Sequence, residues 1–147
     1  MLAVDGPELH PEVLSLAAGA NYAAVTTLLP DGHPQTQITW IDSDGTHLLV
    51  NTPTSTQKYR NVRRDPRITV TIWNRDDPFQ YAEVRGRVVE TTTGEAAWAH
   101  INTLARKYFG GPYRGPSRSR AVLTVQATRQ LLSRQLPGPP PGTGRTR

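Results

Sequence analysis

Apolar residues in this chain come in short runs cut by turn residues, and that rhythm restricts the fold more than any other feature. Tyr22–Leu29 ends at Pro30-Asp31-Gly32, Gln35–Ile41 ends at Ser43-Asp44-Gly45, and Thr46–Asn51 follows at once. Runs of this length suit strands and are too short for free-standing helices. Arg67–Trp73 is the clearest strand, with Ile68, Val70 and Ile72 on one face and Thr69 and Thr71 on the other. Phe79–Glu90 reads as a longer strand that Gly86 should bulge or bend, and Ala121–Ala127 closes the series. The first three strands are expected to run antiparallel through tight turns.

Two helices fit between them at the edges of the pattern. Pro11–Ala18 can turn Val13, Leu14 and Ala17 inward. Thr92-Thr93-Gly94-Glu95 has the form of a capping box, and Ala97, Ile101, Leu104, Ala105 and Tyr108 then make one apolar stripe, predicting a helix from about Thr93 to Phe109. Gly110-Gly111-Pro112 stops it. Alternating βαβ units are absent, which argues against a doubly wound parallel sheet. The expected fold is mainly β with peripheral helices, a six-stranded Greek-key barrel. At 147 residues the chain suits one core, placed in residues 1–128. Residues 129–147 read as a tail, because Pro137–Gly144 holds four prolines and three glycines.

Charge divides the chain unevenly. Residues 1–50 carry six acids and no Lys or Arg, whereas residues 51–147 carry all 17 basic residues and six acids, giving −6 and +11. This asymmetry fits a nucleic-acid binder or a barrel whose basic side takes a polyanionic cofactor. Without cysteine there is neither a disulfide nor a thiolate metal site. No membrane-length apolar run and no secretory signal is visible, so a cytoplasmic location is expected.

The basic half begins with a distinctive stretch, Val50–Arg67: strand, hydroxyl-rich loop, short basic helix, stop. Ser55 or Thr54 can cap a helix that starts near Thr56, and Asp65-Pro66 ends it. Lys58 lies in the first turn, where the helix dipole also favours an anion, most naturally a phosphate. Between Lys58 and Arg67 stand five basic residues and one acid, so a solvated basic face is the competing reading.

Together, Tyr22–Leu29, Asp31-Gly32-His33-Pro34, Trp40, Asn51-Thr52, Lys58-Tyr59-Arg60-Asn61, Arg64-Asp65-Pro66-Arg67, Tyr81 and Gly86-Arg87-Val88 resemble the pyridoxamine 5'-phosphate oxidase-like split β-barrel flavoproteins. The resemblance spans about Pro11 to Arg129 and is strongest to the branch that uses the deazaflavin coenzyme F420 in place of flavin mononucleotide (FMN). True pyridoxamine phosphate oxidases carry Arg and Lys on the second strand. The matching run here, Gln35-Thr36-Gln37-Ile38-Thr39-Trp40, has no cation.

Carried over residue by residue, the resemblance puts Lys58 and the Thr56 hydroxyl on the cofactor phosphate, with Asn51 and Thr52 beside it. Gln37 and Thr39 would lie along the ring edge. Gln80 and Tyr81 match positions contributed across a dimer interface, and Arg129 matches a cofactor-side position. The resemblance thus implies a homodimer, with Trp73, Phe79 and Tyr81 as candidate interface aromatics, and an oxidoreductase that passes hydride from F420 to a conjugated small molecule. The alternatives are an FMN-binding flavoprotein and a non-catalytic cofactor binder. No catalytic side chain is assigned, and His10, His33, His47 and His100 show no metal or triad spacing. The rival of another class is a nucleic-acid-binding barrel using the basic helix with Arg114, Arg118 and Arg120, but the basic stretch has only Tyr59 interleaved for base stacking.

Overall fold

The computed structural model describes residues 1–133. In chain order the elements are β1 (Leu2–Asp5), α1 (Pro11–Ala18), β2 (Tyr22–Leu28), β3 (Pro34–Trp40), β4 (Asp42–Ser43), β5 (Leu48–Pro53), α2 (Gln57–Arg64), β6 (Arg67–Asn74), β7 (Asp77–Thr93), α3 (Glu95–Phe109) and β8 (Arg120–Leu132). The strands form one antiparallel sheet in the order β3-β2-β6-β7-β8-β5-β4, with β1 also paired to β8. This is the mainly β fold expected from the residues, and the split barrel that the resemblance implies.

Six of the eight strands match the predicted ones. The additions are β1, too short a segment to read as a strand, and β4, two residues long. The expected meander is corrected. Of the three strands expected to form it, β2 and β3 are hairpin neighbours, but β5 pairs with β8 and β4 on the far side of the sheet. A single residue, Ile41, connects β3 at one margin with β4 at the other, so the sheet must roll until its margins meet there.

Ile68, Val70 and Ile72 of β6 are buried as their alternation requires, against Val25 of β2, Ala82 and Val84 of β7, and Leu123 and Val125 of β8. The α1 helix places Val13, Leu16 and Ala17 on this core. Gln130, fully buried, anchors the segment before it by accepting from the His10 amide (2.8 Å) and donating to the Glu8 carbonyl (2.8 Å).

Gly86 behaves as predicted. The β7–β8 register shifts beside it, and a Cβ there would stand 2.2 Å from the Gln126 carbonyl oxygen. The long β7 can therefore pair with β6 through its first half and continue along β8.

Three boundaries differ from expectation. The cap of α2 is Thr56, whose Oγ1 accepts from the Tyr59 amide (3.2 Å), because Thr54 is held by the Ser119 hydroxyl (2.6 Å). No capping box opens α3. Thr93 still belongs to β7, and Gly94 at φ 73° makes the turn. The last strand runs on to Leu132, so Arg129 to Leu132 belong to the barrel, paired with β1 and β7, and not to the tail. Pro137–Gly144 lies outside the described residues.

Candidate functional site

Where the sheet margins part beyond Ile41, β3 keeps only β2 as a partner, and Val50–Pro53 of β5 keeps only β8. A cavity of about 390 Å³ fills that gap. Gln37, Ile38, Thr39 and Trp40 line it from β3, Asn51 and Pro53 from β5, and Thr56 and Lys58 from the start of α2. The buried stripe of α3 adds Ile101 and Leu104, and Tyr22, Tyr113 and Arg120 complete the wall.

The α2 helix turns an unusual face inward. Its buried residues are Lys58, Asn61 and Val62. Asn61 Nδ2 donates to Thr27 Oγ1 (3.0 Å) and Gln35 Oε1 (3.3 Å), which ties the helix to β2 and β3 and fixes where Lys58 points. The other basic residues nearby are already engaged. Arg60 donates to the Ser55 carbonyl and Gln57, Arg63 to the Tyr59 hydroxyl, Arg64 to the Leu28 carbonyl and Arg67 to Asp65. Lys58 is 5% exposed, and among the described residues its ammonium has neither an acceptor nor an ion-pair partner.

Arg120 enters the same cavity from the start of β8, opposite Pro53, and is 6% exposed. Its Nε donates to Asn51 Oδ1 (2.7 Å) and its Nη1 to the Tyr113 hydroxyl (3.1 Å). No carboxylate pairs with it among the described residues. Burial, together with the adjacent Arg120 charge, pulls the Lys58 ammonium down to about 8, and burial lowers Arg120 as well despite its contact with Tyr113. Two desolvated cations without a counter-ion leave an unfulfilled demand for an anion.

Aromatic rings and one unsatisfied polar atom join these cations in the wall. Trp40 stacks on Tyr108 (4.9 Å between ring centroids, 9° between planes) and meets Tyr113 edge-on (6.5 Å). Thr39 Oγ1 is buried with no hydrogen-bond partner. A native structure seldom leaves such a group unfulfilled, and Thr39 is among the residues that line the cavity. Two buried cations beside aromatic and apolar walls fit a phosphate-bearing flavin-type heterocycle.

Of the residues that the resemblance put on the cofactor, Gln37, Thr39, Asn51, Thr56 and Lys58 line one cavity. The Thr52 hydroxyl lies behind the wall, 2.8 Å from Thr56 Oγ1, where it supports the cap and does not face the cavity. The Thr56 hydroxyl also meets the Pro53 carbonyl and the Tyr59 amide, so it serves the helix start. Gln80 accepts from Asn74 (2.8 Å), the Tyr81 amide donates to Ser133 (2.9 Å), and Arg129 pairs with Asp5 (3.0 Å). None of these three lines the cavity. Sequence reasoning missed Arg120, which looked like part of an exposed basic loop; its place directly before the apolar run Ala121-Val122-Leu123 was the available signal. It also missed Tyr113 and the cavity-facing use of the α3 stripe. Arg118, from the same loop, lies over the Trp98 ring (4.7 Å).

The family model of pyridoxamine 5'-phosphate oxidase matches residues 9–132. A solved structure called F420 reductase is 31% identical, covering 80% of this chain and 94% of its own, with a TM-score of 0.70. A conserved hypothetical protein from Mycobacterium tuberculosis (20% identity, 88% and 92% covered, TM-score 0.64) shares the fold. So does a putative pyridoxamine 5'-phosphate oxidase from Listeria innocua (19% identity, 82% and 94% covered, TM-score 0.61). No protein of curated function matches. With a rolled sheet, a cation-floored cleft at its split and a family match over almost all the described residues, the chain belongs to the pyridoxamine 5'-phosphate oxidase family.

Proposed function

We propose that this protein is an oxidoreductase that binds the deazaflavin coenzyme F420 in the cleft and reduces a conjugated small molecule beside it. The observation that carries the proposal is the pair of buried cations, Lys58 and Arg120, facing a cavity with no protein anion among the described residues. Lys58 and Arg120 hold the phosphate, a point charge and a planar fork acting on one anion. Thr39 and Gln37 offer hydrogen bonds to the ring edge, and Trp40, Ile101, Leu104 and Tyr113 keep water from its faces. When bound, the coenzyme supplies the hydride. The chain's own task is to bind, orient and dry the site.

F420 is favoured over FMN by the cation-free run on β3 and by the 31%-identical structure called F420 reductase. Parallel optical titrations with the two cofactors test the choice: tight F420 binding with weak FMN binding supports it, and the reverse order overturns it. We further propose a homodimer in which Gln80 and Tyr81 serve the partner's cleft. Phe79 (80%), Ile38 (60%) and Val89 (50%) are large apolar side chains left exposed, as an uncovered face would leave them.

A further inference from the structure

A chain of hydrogen bonds leads out of the cleft through side chains that need not touch a ligand. Arg120 Nε reaches Asn51 Oδ1 (2.7 Å), Asn51 Nδ2 reaches His100 Nδ1 (3.0 Å), and His100 Nε2 reaches Asp42 Oδ2 (3.0 Å). Asn51 Nδ2 also donates to the Ala97 carbonyl (3.0 Å). Four elements take part: β8, β5, α3 and β4.

The direction of every donor follows from the first. A guanidinium only donates, so the atom of Asn51 facing it must be the carbonyl oxygen. The amide nitrogen of Asn51 must then face Ala97 and His100. His100 Nδ1 must accept and therefore carries no proton, which leaves the proton on Nε2, pointing at Asp42. Burial pulls the Asp42 carboxyl up, but hydrogen bonds from His100 and Ser43, with Lys107 near, outweigh it and hold the group below its ordinary value. It is a carboxylate, fit to accept.

We propose that His100, oriented by Asp42, is a positioning residue for anion binding: it locks the Asn51 amide in the orientation that points Arg120 into the cleft. Arg120 Nε and Nη1 are spent on Asn51, Tyr113 and the Ser117 carbonyl, while Nη2 has no protein acceptor among the described residues. That free edge meets the anion. If Asn51 could flip, its NH2 would confront the guanidinium, two donors face to face, and Arg120 would swing away. The inference rests on the reading that the Lys58–Arg120 pocket takes an anion.

Glutamine reproduces both functions of this imidazole, an acceptor toward Asn51 and a donor toward Asp42, whereas leucine reproduces neither. The test uses nitrogen-15 NMR on wild type, His100→Gln, His100→Leu, Arg120→Met and the double variant His100→Leu/Arg120→Met, with melting temperatures to verify folding. Without any ligand, wild type should show His100 protonated on Nε2 alone and a slowly exchanging Arg120 Nε–H. That signal should persist in His100→Gln and vanish in His100→Leu. Titrated with inorganic phosphate, His100→Gln should bind within about twofold of wild type and His100→Leu about tenfold more weakly. Leucine at 100 should add nothing once Arg120 is methionine. A proton on Nδ1, or an unchanged Arg120 signal and phosphate affinity in a folded His100→Leu, overturns the inference alone. Wild type that takes up no phosphate overturns the anion-pocket reading beneath it, while the ligand-free signals still decide whether His100 orders Arg120.

Discussion

Arg120 stands close enough to Lys58 for its charge to add to the burial that brings the lysine down to about 8. The two reach the cleft from opposite ends of the sequence pattern, one from the first turn of α2 and one from the first residue of β8. A free lysine titrates near 10.5, so the unfolded chain keeps a proton between pH 8 and 10.5 that the folded chain has shed. Stability contributed by this residue is therefore lowest at neutral pH and rises with pH across that window. Lys58→Met should be more stable than wild type at pH 7.5 by on the order of 1–3 kcal/mol, and by less at pH 9.5. Urea midpoints at the two pH values check this, and a less stable variant at pH 7.5 contradicts it.

The same lysine should be needed for ligand binding. Lys58→Ala is expected to weaken cofactor affinity by ~1–3 kcal/mol, the scale of a hydrogen bond between charged groups. Wild-type affinity should fall as pH rises above about 8, and the variant's should not. Fluorescence titration of F420 across pH measures both.

Thr39→Val removes a buried hydroxyl that has no partner, so the ligand-free protein should not lose stability and should gain up to ~1 kcal/mol. Cofactor binding should weaken by about 1 kcal/mol, one neutral hydrogen bond. A variant that unfolds more readily yet binds as wild type would show that this hydroxyl has a protein partner instead.

Gly86→Ala should destabilise the fold by at least ~1–3 kcal/mol, because the new methyl meets the backbone of Gln126, which has no freedom to withdraw. Thermal melting reads the loss directly.

The proposed dimer predicts a twofold mass at micromolar concentration in sedimentation, and Phe79→Asp should shift it toward monomer by placing a charge on an exposed apolar face. Monomeric wild type would remove Gln80 and Tyr81 from the site.

Much of the barrel could be read because strand and helix periods are local properties. Ile68, Val70 and Ile72 specify a face without reference to anything distant, and Pro11–Ala18 was bounded by its own residues. Pairing was not legible in that way. That β5 leaves β3 and crosses to β8 depends on how far the whole sheet rolls, which no short window encodes. The site divides along the same line. Thr56 and Lys58 announce themselves within one loop and turn, whereas Arg120 gains its role only when Asn51, 69 positions earlier, lies across from it. Exposure likewise had to await the fold. Of the basic residues from Lys58 to Arg67, the one without a protein partner among the described residues is the one α2 turns inward.

Ile41, the residue that joins the two margins of the sheet, is itself fastened to α3. Its amide donates to the Tyr108 hydroxyl (3.0 Å), and its carbonyl accepts from Lys107 (2.6 Å), which also grips the Ala17 carbonyl (2.8 Å). Burial pushes the Tyr108 phenol up to about 12, so at neutral pH the phenol keeps the proton that it donates to the Asn21 carbonyl. This clasp fixes where the two margins of the sheet stand, and the α3 side chains fill the space between them. A guest that leans on Trp40 loads the joint next to it and, through Tyr108 and Lys107, the helix that supplies Ile101 and Leu104 to the other side. Size discrimination could thus be retuned by exchanging those two side chains while the hinge, and with it the barrel, stays as it is.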